Sequence, residues 1–514
     1  MVNQNPYNQG PMMLPQLPVL PSSLRKMVII PKWFPQNGLI AYLLAIAAVS
    51  IMYLSNSLPW YYMFSGVVAV IVFFLYGSNI VEEYSILKIR REKAFEKRVF
   101  RMAFAFRLAW MFLIYTVFMN LYGNAFGFES GDAEAYDDLG KFVAGLLAKG
   151  DFHFYDNIAA FSHNDDIADM GYGVYVGLIY WLTGIRSVGD TSALSILTIR
   201  ILKCLWSALT VLLIYRLAKR NFGEQTGRVA AIFVALWPNF WYYCGAHLKE
   251  VEMVFLAVLF VEQADQMLRS RQFTAWKVAP ILLIGATMLT FRTPLALVAF
   301  LSLMFSVVMS SQRVMSWGKR VIVGMLVILL LGVTLGNRIE EQTRGLVDKV
   351  QTDQQKYNME WRTKRDNGNA FAKYAGKSVF APLIFTIPFP SMVRPYEGQD
   401  VQQLLNGGNF VKNILSGFTI FAMFILLISG KWREHLLPLS FMLGYLLVLT
   451  MSIFAQSERF HQPAMPFEFM FAAYGLSVAV TNMKYKQWFT YWCVFMFVAC
   501  IVWNWFKLAG RGLS

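Results

Sequence analysis

Apolar runs of about 20 residues recur along this chain, and charged or turn-forming residues separate each run from the next. A helix needs about 20 apolar residues to cross the hydrocarbon core of a bilayer. The pattern therefore predicts about thirteen membrane-spanning helices. These spans are expected near residues 38–54, 60–80, 103–122, 192–217, 228–245, 249–267, 278–292, 294–311, 320–336, 413–430, 434–454, 463–481 and 487–506.

The composition agrees with this pattern, because hydrophobic residues make up 57% of the 514 residues and charged residues only 15%. The chain is predicted to be an all-α polytopic membrane protein. Its net charge of +15 comes mostly from Lys and Arg in short loops, which membrane proteins retain on the cytoplasmic side. We expect these loops to meet anionic membrane lipids, and we expect no nucleic-acid partner, since no nucleic-acid motif accompanies the charge.

The basic loops lie on one side of the membrane only if residues 171–184 do not cross it. This fourteen-residue segment is rich in Gly and Tyr, which is typical of an interfacial or re-entrant position and short for a span. The amino terminus is then cytoplasmic. The two long polar stretches, residues 123–191 and 337–412, are then on the outer face.

This topology divides the chain into five parts. Residues 1–37, rich in Pro, Gln and Asn, are a predicted cytoplasmic tail without the features of a cleavable signal peptide. The other parts are a transmembrane hairpin with a basic loop (38–101), a transmembrane core that includes the first outer stretch (102–336), a large outer loop (337–412) and the C-terminal transmembrane helices (413–514).

An acidic cluster at residues 129–138 follows the span predicted at 103–122. A helix is predicted to begin near Asp132, to lie along the membrane surface, and to hold Asp132 and Tyr136 on adjacent turns. Its apolar stripe consists of Leu139, Phe142, Val143, Leu146 and Leu147. Asp132 fits a helix N-cap, but capping alone does not explain the crowding of like charges around it. Both interpretations, a cap and a reactive carboxylate, stay open.

Further ionisable residues are expected at the outer ends of later spans. Lys249 and Glu250 begin one span, and Arg292 and Arg459 lie at two outer turns. A carboxylate at a helix start complements the helix dipole, and an Arg at a helix end often anchors the helix at the interface. Alternatively, the basic residues form a shared site for an anionic lipid, because a guanidinium binds phosphate through two parallel hydrogen bonds.

Several of these features occur together in one order along the chain. Gly131-Asp132 and Tyr136 are followed by segments 171–184, 199–202 and 214–223. Pro238, Lys249-Glu250, and Arg459-Phe460-His461-Gln462-Pro463 with Pro466 complete the series. In this order the chain resembles the GT-C superfamily of integral-membrane glycosyltransferases, in particular bacterial relatives of protein O-mannosyltransferases and lipid A aminoarabinose transferases. The resemblance covers most of residues 103–482.

The resemblance implies a GT-C-like helix bundle with juxtamembrane helices on its outer face. It also implies transfer of a sugar, with inversion, from a polyprenyl-phosphate-linked donor to a protein, lipid or glycan acceptor at the periplasmic face of a bacterial inner membrane. Asp132 would be the general base. The residues expected to bind substrate are Tyr136, Lys249, Glu250, Arg292, Arg459 and His461.

The resemblance requires no certain cofactor, and a divalent metal stays open. Some relatives, the oligosaccharyltransferases, bind a metal through outer-loop carboxylates, whereas the mannosyltransferase-like branch is understood to work without one. Here Asp132, Asp165, Asp166 and Glu250 could supply such oxygen ligands.

Two alternative functions remain. An oligosaccharide polymerase or ligase shares the lipid-linked donor and differs in its acceptor. A transporter or flippase for a lipid-linked sugar would use similar ionisable residues, but transporters commonly show internal repeats and polar sites at mid-membrane. The acidic candidates lie at the outer boundary and no convincing repeat is found, which favours an enzyme.

Overall fold

The computed structural model describes residues 60–126, 130–162, 170–270, 274–309, 406–450 and 458–481, with residues 487, 488, 491, 494, 495 and 498. Regular structure in these residues is entirely helical. The α-helices are α1 (Trp60–Glu83), α2 (Glu92–Tyr122), α3 (Ser130–Lys149), α4 (Phe154–Ser162), α5 (Met170–Leu182), α6 (Ala193–Phe222), α7 (Glu224–Leu236), α8 (Pro238–Gly245), α9 (Glu250–Ser270), α10 (Ala275–Phe291), α11 (Thr293–Met309), α12 (Asn406–Ile428), α13 (Leu436–Thr450), α14 (Glu458–His461) and α15 (Met465–Thr481). A 3₁₀-helix, Lys431–His435, precedes α13.

Two helices in the described part of the chain, α2 and α6, are long and apolar enough to cross a membrane. Other apolar helices there, including α5, α10 and α11, are shorter. The helical class is therefore confirmed, and the number of about thirteen spans stays a prediction. The predicted tail 1–37, the spans 38–54 and 320–336, nearly all of the outer loop 337–412 and most of the span 487–506 lie outside the described residues.

The span predicted at 228–245 is wrong as a single helix, because the chain forms α7 and α8 on either side of Trp237. Pro238 begins α8, and Trp237 takes an extended conformation with ψ of 118°. A proline disfavours helical geometry in the residue before it, which explains the break. The span predicted at 413–430 also differs, since α12 already begins at Asn406.

Helix α6 is central to the bundle and packs against α2, α7 and α9. Buried polar groups reinforce this packing. The Arg107 guanidinium on α2 donates to Ser207 Oγ on α6 at 2.5 Å and to the Ala235 and Val234 carbonyls on α7, both at 3.1 Å. A buried guanidinium with all its nitrogens bonded holds three helices at fixed distances.

Helix α3 has the apolar stripe expected of it, with Leu139, Val143 and Leu146 buried. It packs closely on α5, where a Cβ at Gly177 would lie 2.5 Å from Val143. Helix α5 has 13 residues and is therefore about 20 Å long. This is shorter than the hydrocarbon core, in agreement with the prediction that residues 171–184 do not cross the bilayer.

Candidate active site

Asp132 lies in the first turn of α3, two residues after the helix begins at Ser130. Its side chain is 65% exposed, and Oδ2 accepts a hydrogen bond from Arg459 Nη1. Because this carboxylate contacts a residue from another part of the chain, a helix cap alone does not describe its role. The first turn of a helix also favours a negative charge, which stabilises Asp132 at this position.

Arg459 connects Asp132 with a second carboxylate. Its Nε donates to Glu250 Oε1 while Nη1 donates to Asp132, so one guanidinium bridges residues on α3, α9 and α14. Charge-assisted bonds of this kind are among the stronger hydrogen bonds in proteins. The Tyr445 hydroxyl on α13 donates to the Phe460 carbonyl at 3.1 Å and so fixes α14, which carries Arg459.

Glu250 begins α9 and is fully buried. Its second oxygen, Oε2, has no hydrogen-bond partner among the described residues. A buried carboxylate oxygen without a donor costs free energy unless a ligand or water satisfies it. Glu250 therefore has one buried acceptor oxygen that no described residue satisfies.

Lys249 lies in the turn just before α9, beside the same carboxylate. Its Nζ is 3.2 Å from the Phe291 carbonyl and 5.8 Å from the ring centroid of Tyr136. Burial, assisted by the positive charge of Arg292 and opposed by Glu250, lowers the pKa of Lys249 to about 7. Its ammonium group is therefore only partly protonated near neutral pH.

Aromatic rings flank the charged groups. Tyr136 on α3 meets the buried Tyr172 on α5 edge to face, with ring centroids 4.9 Å apart. Burial and the charge of Glu250 raise the pKa of Tyr136 well above its usual range, so its hydroxyl stays protonated. Arg292, between α10 and α11, lies 4.0 Å from the Phe460 ring. Aromatic faces beside hydrogen-bonding groups are suited to sugar rings.

The structure thus brings together six of the seven residues predicted to form the site. They are Asp132, Tyr136, Lys249, Glu250, Arg292 and Arg459. His461 is buried and its Nδ1 lies 3.2 Å from Lys412 Nζ on α12. Its predicted contact with substrate stays a prediction.

Three buried ionisable residues next to this site were not among the residues predicted from the sequence. Lys203 Nζ on α6 pairs with Glu252 Oε2 at 3.2 Å. Arg200 lies one turn before Lys203 and is fully buried as well. A signal was present, because ionisable residues three positions apart inside an apolar run usually face the interior of a bundle and have a function there.

A carboxylate metal site is not formed by the residues described. No group of three or more His, Cys, Asp or Glu side chains suitable for a metal ion occurs among them. Asp132 and Glu250 contact the guanidinium of Arg459. Asp165 and Asp166 lie outside the described residues.

Fold and site together define a helical membrane protein with clustered carboxylates and basic groups at one end of its bundle. Residues 181–335 match the family described as dolichyl-phosphate-mannose-protein mannosyltransferase. The match confirms the resemblance to the GT-C glycosyltransferases over this segment, and it supports a membrane glycosyltransferase of GT-C type that uses a lipid-linked sugar. No curated protein and no solved structure matches the chain.

The matched segment contains part of the site. Lys249, Glu250 and Arg292 lie within it, whereas Asp132 and Arg459 lie on either side of it. The bridge made by Arg459 therefore joins a residue of the matched segment to one residue that precedes the segment.

Proposed function

We propose that this protein transfers a sugar from a polyprenyl-phosphate donor to an acceptor hydroxyl at the periplasmic face of the inner membrane, with inversion, and that Asp132 is the general base. The observation that supports this proposal most directly is the bridge from Asp132 through Arg459 to Glu250. It joins an exposed carboxylate to a buried one beside basic and aromatic side chains.

The chemistry follows from the two oxygens of Asp132. Arg459 holds Oδ2, and the side chain is 65% exposed, which leaves Oδ1 accessible to an acceptor. Oδ1 takes the proton of the acceptor hydroxyl as the hydroxyl oxygen attacks the anomeric carbon. The bond from that carbon to the phosphate oxygen breaks on the opposite face, and the polyprenyl phosphate leaves with the electron pair. A single displacement of this kind inverts the anomeric configuration.

The departing phosphate needs positive charge. Three basic side chains, Lys249, Arg292 and Arg459, face two carboxylates, Asp132 and Glu250. When Lys249 is protonated, the group carries one positive charge in excess, which a phosphate would neutralise. Preorganised charge in a partly buried site stabilises a leaving anion without reorganisation of solvent.

Glu250 and Tyr136 are positioned to orient the sugar. Glu250 Oε2 can accept a hydrogen bond from a sugar hydroxyl. The half-buried Tyr136 ring offers an apolar face beside it. The domain boundaries predicted from the sequence, with a core at 102–336 and an outer loop at 337–412, are part of the same proposal.

The experiment compares two carboxylate variants on the same helix. Asp132→Asn removes the proton acceptor with little change in volume, and Glu134→Gln removes an exposed charge two residues away. Both variants replace the wild-type protein in cells at equal abundance. Mass spectrometry then measures polyprenyl-phosphate sugars and envelope glycans.

We expect Asp132→Asn to accumulate one polyprenyl-phosphate sugar and to lose that sugar from one class of glycan, protein or lipid, which identifies the acceptor. Glu134→Gln should resemble wild type. Normal glycans in Asp132→Asn cells would exclude Asp132 as the base.

A further inference from the structure

Arg200 on α6 is buried without an acidic partner in the described residues. Its Nη2 donates to the Ala125 carbonyl, and its guanidinium carbon lies 5.5 Å from the Tyr115 ring centroid. Nε and Nη1 have no hydrogen-bond partner in that same part of the chain. A buried guanidinium needs both hydrogen bonds and a compensating charge, so this arrangement costs free energy as it stands.

Two more cationic or donor groups lie beside Arg200. Lys203 Nζ donates to the Leu248 carbonyl, which follows His247 directly, and also pairs with Glu252 Oε2 at 3.2 Å. The fully buried His247 ring lies between Tyr180 and Phe126, at centroid distances of 6.3 Å and 5.5 Å.

Neither nitrogen of the His247 ring has a hydrogen-bond partner in the described structure. Burial and the nearby charges of Lys203 and Arg200 lower the pKa of His247, so the ring is neutral and has one N–H donor. We call Arg200, Lys203 and His247 the buried cationic cluster.

Arg107 shows how the same bundle treats a structural arginine. It is equally buried, yet all three of its nitrogens donate to oxygen atoms of Ser207, Ala103, Ala235 or Val234. Water could satisfy the free N–H groups of Arg200, but water does not compensate its charge. Neither arginine bonds a carboxylate in the described residues, so they differ in the two Arg200 nitrogens that have no acceptor. An oxyanion would supply acceptor oxygens for these nitrogens and would also compensate the charge.

We infer that the buried cationic cluster is a second substrate subsite that binds one oxyanion group, a phosphate or a carboxylate. The second N–H of Arg200 Nη2, together with Nε or Nη1, would hold two oxygens in the parallel geometry that guanidinium groups favour, and the His247 N–H would hold one. The subsite is distinct from the basic residues around Arg459. Tyr172 separates the two, because its ring contacts both Tyr136 and the Lys203 ammonium group. The inference does not depend on the proposed role of Asp132.

The test uses the full chain in phosphatidylcholine nanodiscs and in phosphate-free buffer. The temperature of thermal unfolding is measured without ligand, with inorganic phosphate, and with a short-chain polyprenyl phosphate. The variants are Arg200→Met, His247→Phe and the matched control Arg107→Met. His247→Phe keeps the ring stack and removes the ring nitrogens, so it tests the subsite without changing net charge.

Without ligand, we expect Arg200→Met to unfold at the wild-type temperature or above it, because an uncompensated charge has been removed. Arg107→Met should unfold at a lower temperature, since it leaves several oxygen atoms without donors. With ligand, wild type should unfold at a higher temperature, and Arg200→Met should show no such increase. His247→Phe should need at least ten times more ligand than wild type for the same increase.

The two ligands identify the source of the oxyanion. Stabilisation by inorganic phosphate that depends on Arg200 indicates a free anion or a small acidic substituent. Stabilisation by polyprenyl phosphate alone assigns the subsite to the lipid carrier. The inference is overturned if neither ligand stabilises the protein through Arg200, or if Arg200→Met loses stability as Arg107→Met does.

Discussion

Two ion-pair clusters lie near opposite ends of the bundle and differ in how completely their charges are satisfied. One of them, the Arg220 network, joins α6 to α9, where Arg220 pairs with Glu262 at 2.7 Å and with Asp265 at 3.0 Å. Arg269 and Gln263 bond the remaining oxygens of these carboxylates at 3.0 Å. At the candidate active site, by contrast, Glu250 Oε2 has no partner in the described structure. Complete pairing holds helices together, whereas incomplete pairing leaves groups available to a ligand.

Removing one basic residue from the Arg220 network gives the largest expected effect on stability. Arg220→Ala leaves the nearly buried Glu262 and Asp265 undercompensated, and we expect a loss of about 3 kcal/mol in the free energy of unfolding. Turnover per folded molecule should not change. Chemical unfolding in detergent and a transfer assay test the two parts, and Arg220→Lys is the conservative control. Equal stability of Arg220→Ala and wild type would remove the contrast between the clusters.

A substitution far from both clusters tests whether the candidate active site needs α3 at its observed position. Gly177→Leu on α5 would clash with Val143, where even a Cβ is 2.5 Å away. The displaced helix would move Asp132 from Arg459, and a shift near 1 Å lowers transfer by about 100-fold. Gly189→Ala, whose Cβ would meet only the Ser187 hydroxyl at 4.0 Å, is the control.

Accumulation of the lipid-linked sugar in cells measures the effect of Gly177→Leu. Full transfer by this variant would show that contact between α3 and α5 does not position the base.

The smallest expected effect concerns the charge of Lys249. Its pKa of about 7 means that the ammonium form prevails below pH 7 and the neutral amine above it. Because only the ammonium attracts phosphate, affinity for the donor should fall as pH rises from 6 to 8, by up to about tenfold per unit. Binding should be measured with a polyprenyl phosphodiester, whose own charge does not change in this range. Lys249→Arg should bind equally at both pH values, and a flat wild-type profile would contradict the assignment.

Local sequence patterns predicted helix α3 well. The apolar stripe of α3 and the turn before α9 follow from spacing and charge alone, and both place candidate residues as expected. The break at Trp237 was missed because hydropathy over 228–245 is continuous. Pro238 was a visible signal there, since the residue before a proline resists helical geometry.

Contacts between distant segments were beyond the reach of sequence patterns. Arg459 was expected to bind phosphate, which stays a prediction, and its hydrogen bonds to Asp132 and Glu250 were not predicted. Arg200 has one hydrogen-bond partner, the Ala125 carbonyl 75 positions away, and its Nε and Nη1 have none in the described residues. Neither fact is visible in the sequence around Arg200. Periodicity shows which side of a helix is buried, but it does not show what that side meets.

The bridge through Arg459 also bears on when the protein becomes active during its synthesis. Asp132 and Arg459 are 327 positions apart. At about 5–20 residues per second, a ribosome needs roughly 15 to 65 seconds to translate the chain between them. A nascent chain that has already inserted α3 and α9 therefore carries an unfinished site. Because the proposed mechanism needs both residues, we expect the chain to become competent only when its last helices reach the membrane, and we expect truncated products of interrupted translation to be inert.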